Sequence, residues 1–83
     1  MMQYLILCPS LTGAQKMQRI FERAGLTSTL VKAPQRLSVN GCGYALRLYR
    51  KIDRALELIE KNKLMHGKIY RIEDNGTYEF LGG

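Results

Sequence analysis

Two segments with helical hydrophobic spacing each lie between short extended runs, and that order restricts this 83-residue chain to few folds. Gln3-Tyr4-Leu5-Ile6-Leu7-Cys8 is an apolar run with branched and aromatic members, stopped by Pro9, and reads as a buried central strand. Ala14, Met17, Ile20, Phe21 and Ala24 then recur at helical spacing. Ser10 or Thr12 can cap that helix, because either hydroxyl can accept from an orphan amide of the first turn, and Gly25 ends it. Leu26 to Lys32 is rich in strand formers. Residues 33–41 form a loop marked by Pro34 and Asn40-Gly41. Tyr44, Leu46 and Leu48 alternate with Ala45 and Arg47, so Gly43 to Tyr49 is a third strand. Ile52, Ala55, Leu56 and Ile59 define a second amphipathic helix over Lys51 to Asn62. Lys68 to Glu73 is a fourth strand, and Asn75-Gly76 predicts a two-residue hairpin into Thr77 to Leu81.

The order β-α-β-β-α-β with one more strand is the split βαβ pattern. The expected fold class is therefore α+β: a ferredoxin-like βαββαβ sandwich with an added C-terminal hairpin strand, as a single domain over residues 1–83. Right-handed crossovers bring the end of strand one, the start of helix one and the loop between strands two and three to one sheet edge. Cys8, Pro9, Ser10, Thr12 and Cys42 are expected to gather there. The longest apolar run, Tyr4 to Cys8, falls far short of the roughly 20 residues that span a bilayer, so no membrane segment is expected. Residues 1–11 carry no charge, unlike the basic start of a secretory signal, and a cytoplasmic location follows as an expectation. In that reducing compartment two cysteines serve packing or chemistry rather than a structural disulfide.

Charge is unevenly distributed. The chain holds 13 Lys and Arg against 7 Asp and Glu, a net +6, and residues 16–54 alone hold nine bases against two acids. That excess surrounds Cys42 in sequence. Gly41 and Gly43 flank the cysteine, which leaves its thiol open to approach and lets neighbouring amides turn toward an anion. Arg36 and Arg47 are near in sequence, Lys32 and Arg50 are expected near in space, and the start of helix one adds partial positive charge. Such surroundings lower a thiol pKa from its ordinary value of about 8.5 and favour the nucleophilic thiolate. Ser10, Ser38 and Asn40 are candidate hydrogen-bond donors to the same anion. The competing reading of Cys42 is a small buried hydrophobe.

Pro34-Gln35-Arg36-Leu37-Ser38 followed by Cys42-Gly43-Tyr44-Ala45-Leu46-Arg47 resembles the signature of the selenium/sulfur carrier protein-like family, small single-domain proteins of bacteria and archaea. Tyr4-Leu5-Ile6-Leu7 before Pro9-Ser10, and Gly67-Lys68-Ile69-Tyr70-Arg71-Ile72, extend the resemblance over essentially the whole chain. The resemblance implies a carrier rather than a stand-alone enzyme, with no cofactor and its common cysteine at Cys42. A persulfide or selenide would pass from a cysteine desulfurase-type donor to Cys42 and on to an acceptor protein. Where the family has an apolar or aromatic residue, this chain has Cys8, which reads as a packing hydrophobe. With Cα atoms within roughly 7 Å, Cys8 could instead resolve a Cys42 persulfide through a transient disulfide.

Other constellations are weaker. Cys8, Cys42 and His66 lack the paired spacing of zinc sites, so no metal is expected. Gly82-Gly83 matches the diglycine of ubiquitin-like sulfur carriers, but those begin with a β-hairpin and this chain follows its first strand with a helix. A rival of a different class is a basic ferredoxin-like module that stacks RNA bases on Tyr4, Tyr44 and Tyr70, with a structural Cys42. The aromatic RNA-recognition signature is absent from Gly43-Tyr44-Ala45-Leu46-Arg47-Leu48. An ACT-like regulatory module, or a homodimer formed through an uncovered sheet face, would share the same element order.

Overall fold

Why β1 (Gln3–Cys8) becomes the central strand is visible in its burial: Leu5 to Cys8 are each at most 1% exposed. The computed structural model describes residues 3–37 and 43–82. After β1 come α1 (Leu11–Arg23), β2 (Ser28–Lys32), a short 3-10 turn (Gln35–Leu37), β3 (Tyr44–Leu48), α2 (Ile52–Lys61), β4 (Ile69–Ile72) and β5 (Tyr78–Gly82). They build one sheet in the order β2-β3-β1-β4-β5 with every neighbouring pair antiparallel. The α+β ferredoxin-like arrangement with an extra strand is thus present. Among the described residues no helix is long and apolar enough to cross a membrane.

The two helices end in the same way. Ser10 is the cap of α1, its Oγ accepting from Gly13 N at 3.0 Å, which decides between the two expected capping residues. At the other end Leu26 N donates to Phe21 O at 2.8 Å and Gly25 N to Glu22 O at 3.0 Å, a Schellman closure with Gly25 at φ +82°. Leu26 is drawn into this closure, so β2 starts at Ser28, later than its strand-forming composition predicts. For α2, Leu64 N donates to Ile59 O and Lys63 N to Glu60 O in the same pattern, but here a lysine occupies the left-handed position at φ +50°. Its N-cap, Lys51, is also left-handed at φ +63° and makes no side-chain cap. The last hairpin departs from expectation as well. Glu73 N bonds Thr77 O and Gly76 N bonds Glu73 O, leaving a three-residue loop with Gly76 at φ +87°. Asn75 Oδ1 accepts from Thr77 N at 3.1 Å, and this side-chain bond helps the longer turn prevail over the two-residue form. Arg71 joins Glu73 and, across the hairpin, Glu79. Glu73 titrates below the ordinary carboxylate range because of its side-chain hydrogen bonds with Glu79 and Arg71.

Strand alternation sorts the core into two layers. Ile6, Cys8, Leu46, Leu48 and Ile69 face Ala14, Met17 and Phe21 of α1 and Ala55, Leu58 and Ile59 of α2. Leu5, Leu7 and Ala45 point the other way and are equally buried, packed by Val31, Ala33, Leu37, Tyr70, Ile72 and Tyr78. Burying a leucine fully is worth about 1.5–3 kcal/mol, so the helix-free face needs a cover. The chain after β2 supplies it. Arg36 Cζ lies 5.3 Å from the centroid of the Tyr78 ring, although β2 and β5 are opposite sheet edges, about 19 Å apart at the usual strand spacing. The residues after β2 therefore run across the sheet.

Residues 33–37 cover part of the helix-free face, on which Phe80 is still 57% exposed. Tyr4 and Tyr44 pack on the helix side while Tyr70 lies on the covered face, so the three tyrosines form no common stacking platform.

The left-handed cap of α2 yields a prediction. Lys51→Gly is expected to raise unfolding stability by about 1 kcal/mol, since only glycine adopts that conformation without steric cost. Urea denaturation of the two proteins checks it.

Candidate functional site

The end of β1, the start of α1 and both ends of the 33–43 segment meet at one sheet edge, and backbone pairing holds them there. Cys8 of β1 and Lys32 of β2 both lie in register with Tyr44 of β3. One step beyond, Ala33 N donates to Gly43 O at 3.1 Å. Ser10 follows Cys8 by two residues and caps α1, whose first turn contains no acid. On the other side of β1, Leu7 N donates to Lys68 O at 3.0 Å and Gly67 N to Leu7 O at 2.6 Å, which pins the chain between α2 and β4 to the same edge. Of the residues expected at this edge, Cys8 and Ser10 lie there, beside Gly43. Cys42 immediately precedes Gly43 in the chain and, with Ser38, Asn40 and Gly41, lies outside the described residues.

Of the cations expected around Cys42, Arg36 and Arg47 are seen away from this edge, and their distance to the thiol falls outside the described residues. Arg36 is engaged with the Tyr78 ring over β5. Arg47 shares the covered face with Ala45, between Leu5 and Thr29 in register, and stands four residues, about 14 Å of strand, from Gly43. Its Nε is buried and finds no hydrogen-bond partner among the described residues. A guanidinium nitrogen removed from water in this way favours a hydrogen-bond acceptor beside it. Arg50 is a correction: it lies at the opposite end of the sheet with Gly25, Thr27, Tyr49 and Lys51, around a cavity of about 390 Å³. Lys32 alone of the expected cations sits in the edge row.

Cys8 is fully buried on the helix side, its Sγ 3.6 Å from Ile6 O. Its separation from Cys42 falls outside the described residues. His66 Nδ1 lies 2.7 Å from Gly67 O. Among the described residues no three His, Cys, Asp or Glu side chains come together as a metal site. Gly82 ends β5 opposite Ile69, and Gly83 lies outside the described residues.

Two features were not foreseen from the sequence. Tyr78, which holds Arg36, was indistinguishable from any other strand aromatic. A groove of about 370 Å³ also opens beside the edge, between the first turns of α1 and the chain after α2, with Lys16 and Lys63 among its walls. These two lysines are distant in sequence, and only the end of α2 brings them together.

Fold and edge define a ferredoxin-like α+β protein whose glycine-flanked cysteine segment returns to the sheet where β1 ends and α1 begins. The model of the family described as Putative Se/S carrier protein-like matches residues 3–71, and the chain belongs to that family. No curated protein and no solved structure matches the chain.

If the Arg36–Tyr78 contact holds the crossing segment down, Tyr78→Leu should keep apolar bulk yet cost about 1 kcal/mol of stability. Amide exchange should quicken at residues 33–37 and not in α1 or α2. Unchanged exchange at 33–37 would exclude that role for the contact.

Proposed function

We propose that this protein carries sulfur or selenium on Cys42, receiving it from a cysteine desulfurase-type donor in the cytoplasm and passing it to an acceptor protein. Membership of the Se/S carrier family is the observation that carries the reading, because the matched residues 3–71 include the cysteine segment. The fold supports it physically. Gly43 sits where β1 ends and the acid-free first turn of α1 begins, so the residue before it is joined to an edge that favours an anion. Gly41 and Gly43 place no side chain next to it in the chain, and in this proposal Ser10, Ser38 and Asn40 are the hydrogen-bond donors to the anion. The anion's charge is assigned in the same proposal to Arg36, which belongs to the crossing segment, and to Arg47, whose Nε has no hydrogen-bond partner among the described residues.

The exchange balances without an oxidant. The Cys42 thiolate attacks the terminal sulfur of the donor's persulfide, a new S–S bond forms on Cys42, the donor's S–S bond breaks, and its thiolate leaves. Transfer onward is the same exchange, with the acceptor's thiolate as nucleophile and Cys42 as leaving group. A selenium atom in place of the terminal sulfur follows the same balance. Cys8 takes no part in this sequence: its burial makes it a packing residue.

Intact-mass spectrometry after incubation with a cysteine desulfurase and cysteine tests the reading. The protein should gain about 32 Da, one sulfur atom, and Cys42→Ser should gain nothing. An unchanged gain in Cys42→Ser would sink the assignment. Cys8→Ala should still load while losing about 1–2 kcal/mol of stability, the usual range for truncating a small buried side chain. Loss of loading in folded Cys8→Ala would instead give Cys8 a chemical role.

A further inference from the structure

The groove beside the cysteine edge has a composition that selects its occupant. Its floor is apolar, formed by Pro9, Gly13 and Leu64, and Met65 stands at its rim with 76% of its surface exposed, the highest among the exposed large hydrophobics described. Lys16 on α1 and Lys63 after α2 flank that floor, and neither makes an ion pair among the described residues. No carboxylate lies in the first turn of α1, and none lines the groove. A flexible, polarizable methionine beside an apolar floor suits a partner side chain that differs from one protein to the next. Two unpaired lysines and a helix N-terminus around it favour carboxylates on that partner and repel basic surfaces. The groove shares Pro9 and Ser10 with the edge itself, and Gly67 N, two residues after Met65, is bonded to Leu7 O. Anything seated in it therefore lies against the end of β1, the strand next to the start of β3 that follows the cysteine segment.

We propose that this groove is the docking surface for the sulfur donor, which inserts an apolar side chain flanked by Asp or Glu between Lys16 and Lys63 and so presents its persulfide to Cys42. The inference rests on the carrier reading and deepens it by assigning the partner's surface chemistry. Docking sets only the encounter. The chemical step remains the S–S exchange written above, with the donor thiolate leaving.

The experiment compares two routes of loading in the full chain. A purified cysteine desulfurase with cysteine supplies sulfur from a protein, and a small hydropersulfide supplies it without docking. Loading of Cys42 is followed by intact mass over time. Lys16→Glu with Lys63→Glu should slow desulfurase-dependent loading about tenfold or more and leave hydropersulfide loading unchanged, while Lys16→Arg with Lys63→Arg restores the parental rate. Raised salt should slow loading of the parent far more than loading of the charge-reversed variant. Lys63→Gly separates docking from folding: glycine relieves the left-handed position and keeps or raises thermal stability, yet desulfurase-dependent loading should still fall. Equal desulfurase-dependent rates in the parent and the charge-reversed variant would overturn the docking surface while leaving the carrier intact. Failure of Cys42 to load by either route would overturn both.

Discussion

Everything in this structure depends on a strand that is buried on both faces. Leu5, Ile6, Leu7 and Cys8 are almost without exposure, and β1 is hydrogen-bonded to β3 on one side and β4 on the other. A strand with one apolar face needs one cover; this one needs two. The helices cover Ile6 and Cys8, where Met17 and Phe21 of α1 are wholly buried as well. Leu5 and Leu7 are covered by Ala33, Leu37 and the aromatics of the C-terminal hairpin. Among the described residues there is no third α-helix to do this, and residues 33–37 after β2 take the place of one.

That economy ties core to chemistry. The connection that closes the second face also contains the glycine-flanked cysteine, so its first half is held by packing and by the Arg36 ring contact, while its end is held by the β2–β3 ladder at Gly43. The described residues on either side of the cysteine, residues 33–37 and Gly43, are thereby tied to the core and to the sheet.

The positive charge is likewise organised by chain reversal and not by sequence proximity. Nine bases crowd the middle of the sequence. In the fold the five from Lys32 to Lys51 part into three places: Arg50 and Lys51 at the far end of the sheet, Arg36 and Arg47 on the covered face, and Lys32 at the cysteine edge. Lys63, from the acid-rich last third of the chain, joins Lys16 near that edge because α2 runs back to it. A charge run in sequence thus predicted an electropositive protein but misassigned Arg50, which follows β3 and so emerges at the opposite end.

The sequence by itself determined the elements and their connectivity, because apolar spacing, Pro9, Ser10, Gly25 and Asn75-Gly76 act over a few residues and need no distant partner. It also determined that Cys8 and Ser10 share an edge with the β2–β3 connection, since crossover handedness follows from the order of strands and helices. The cysteine segment of the family was legible in the same way, as a local string. Only the tertiary structure decided what covers Leu5 and Leu7, where the arginines point, and that Lys16 and Lys63 share a groove beside Met65. Each of these depends on contacts between residues tens of positions apart, with no local spacing to announce them. Lys63 at left-handed φ shows the same limit from the other side: closure of α2 demanded a conformation that local preference alone would have given to glycine.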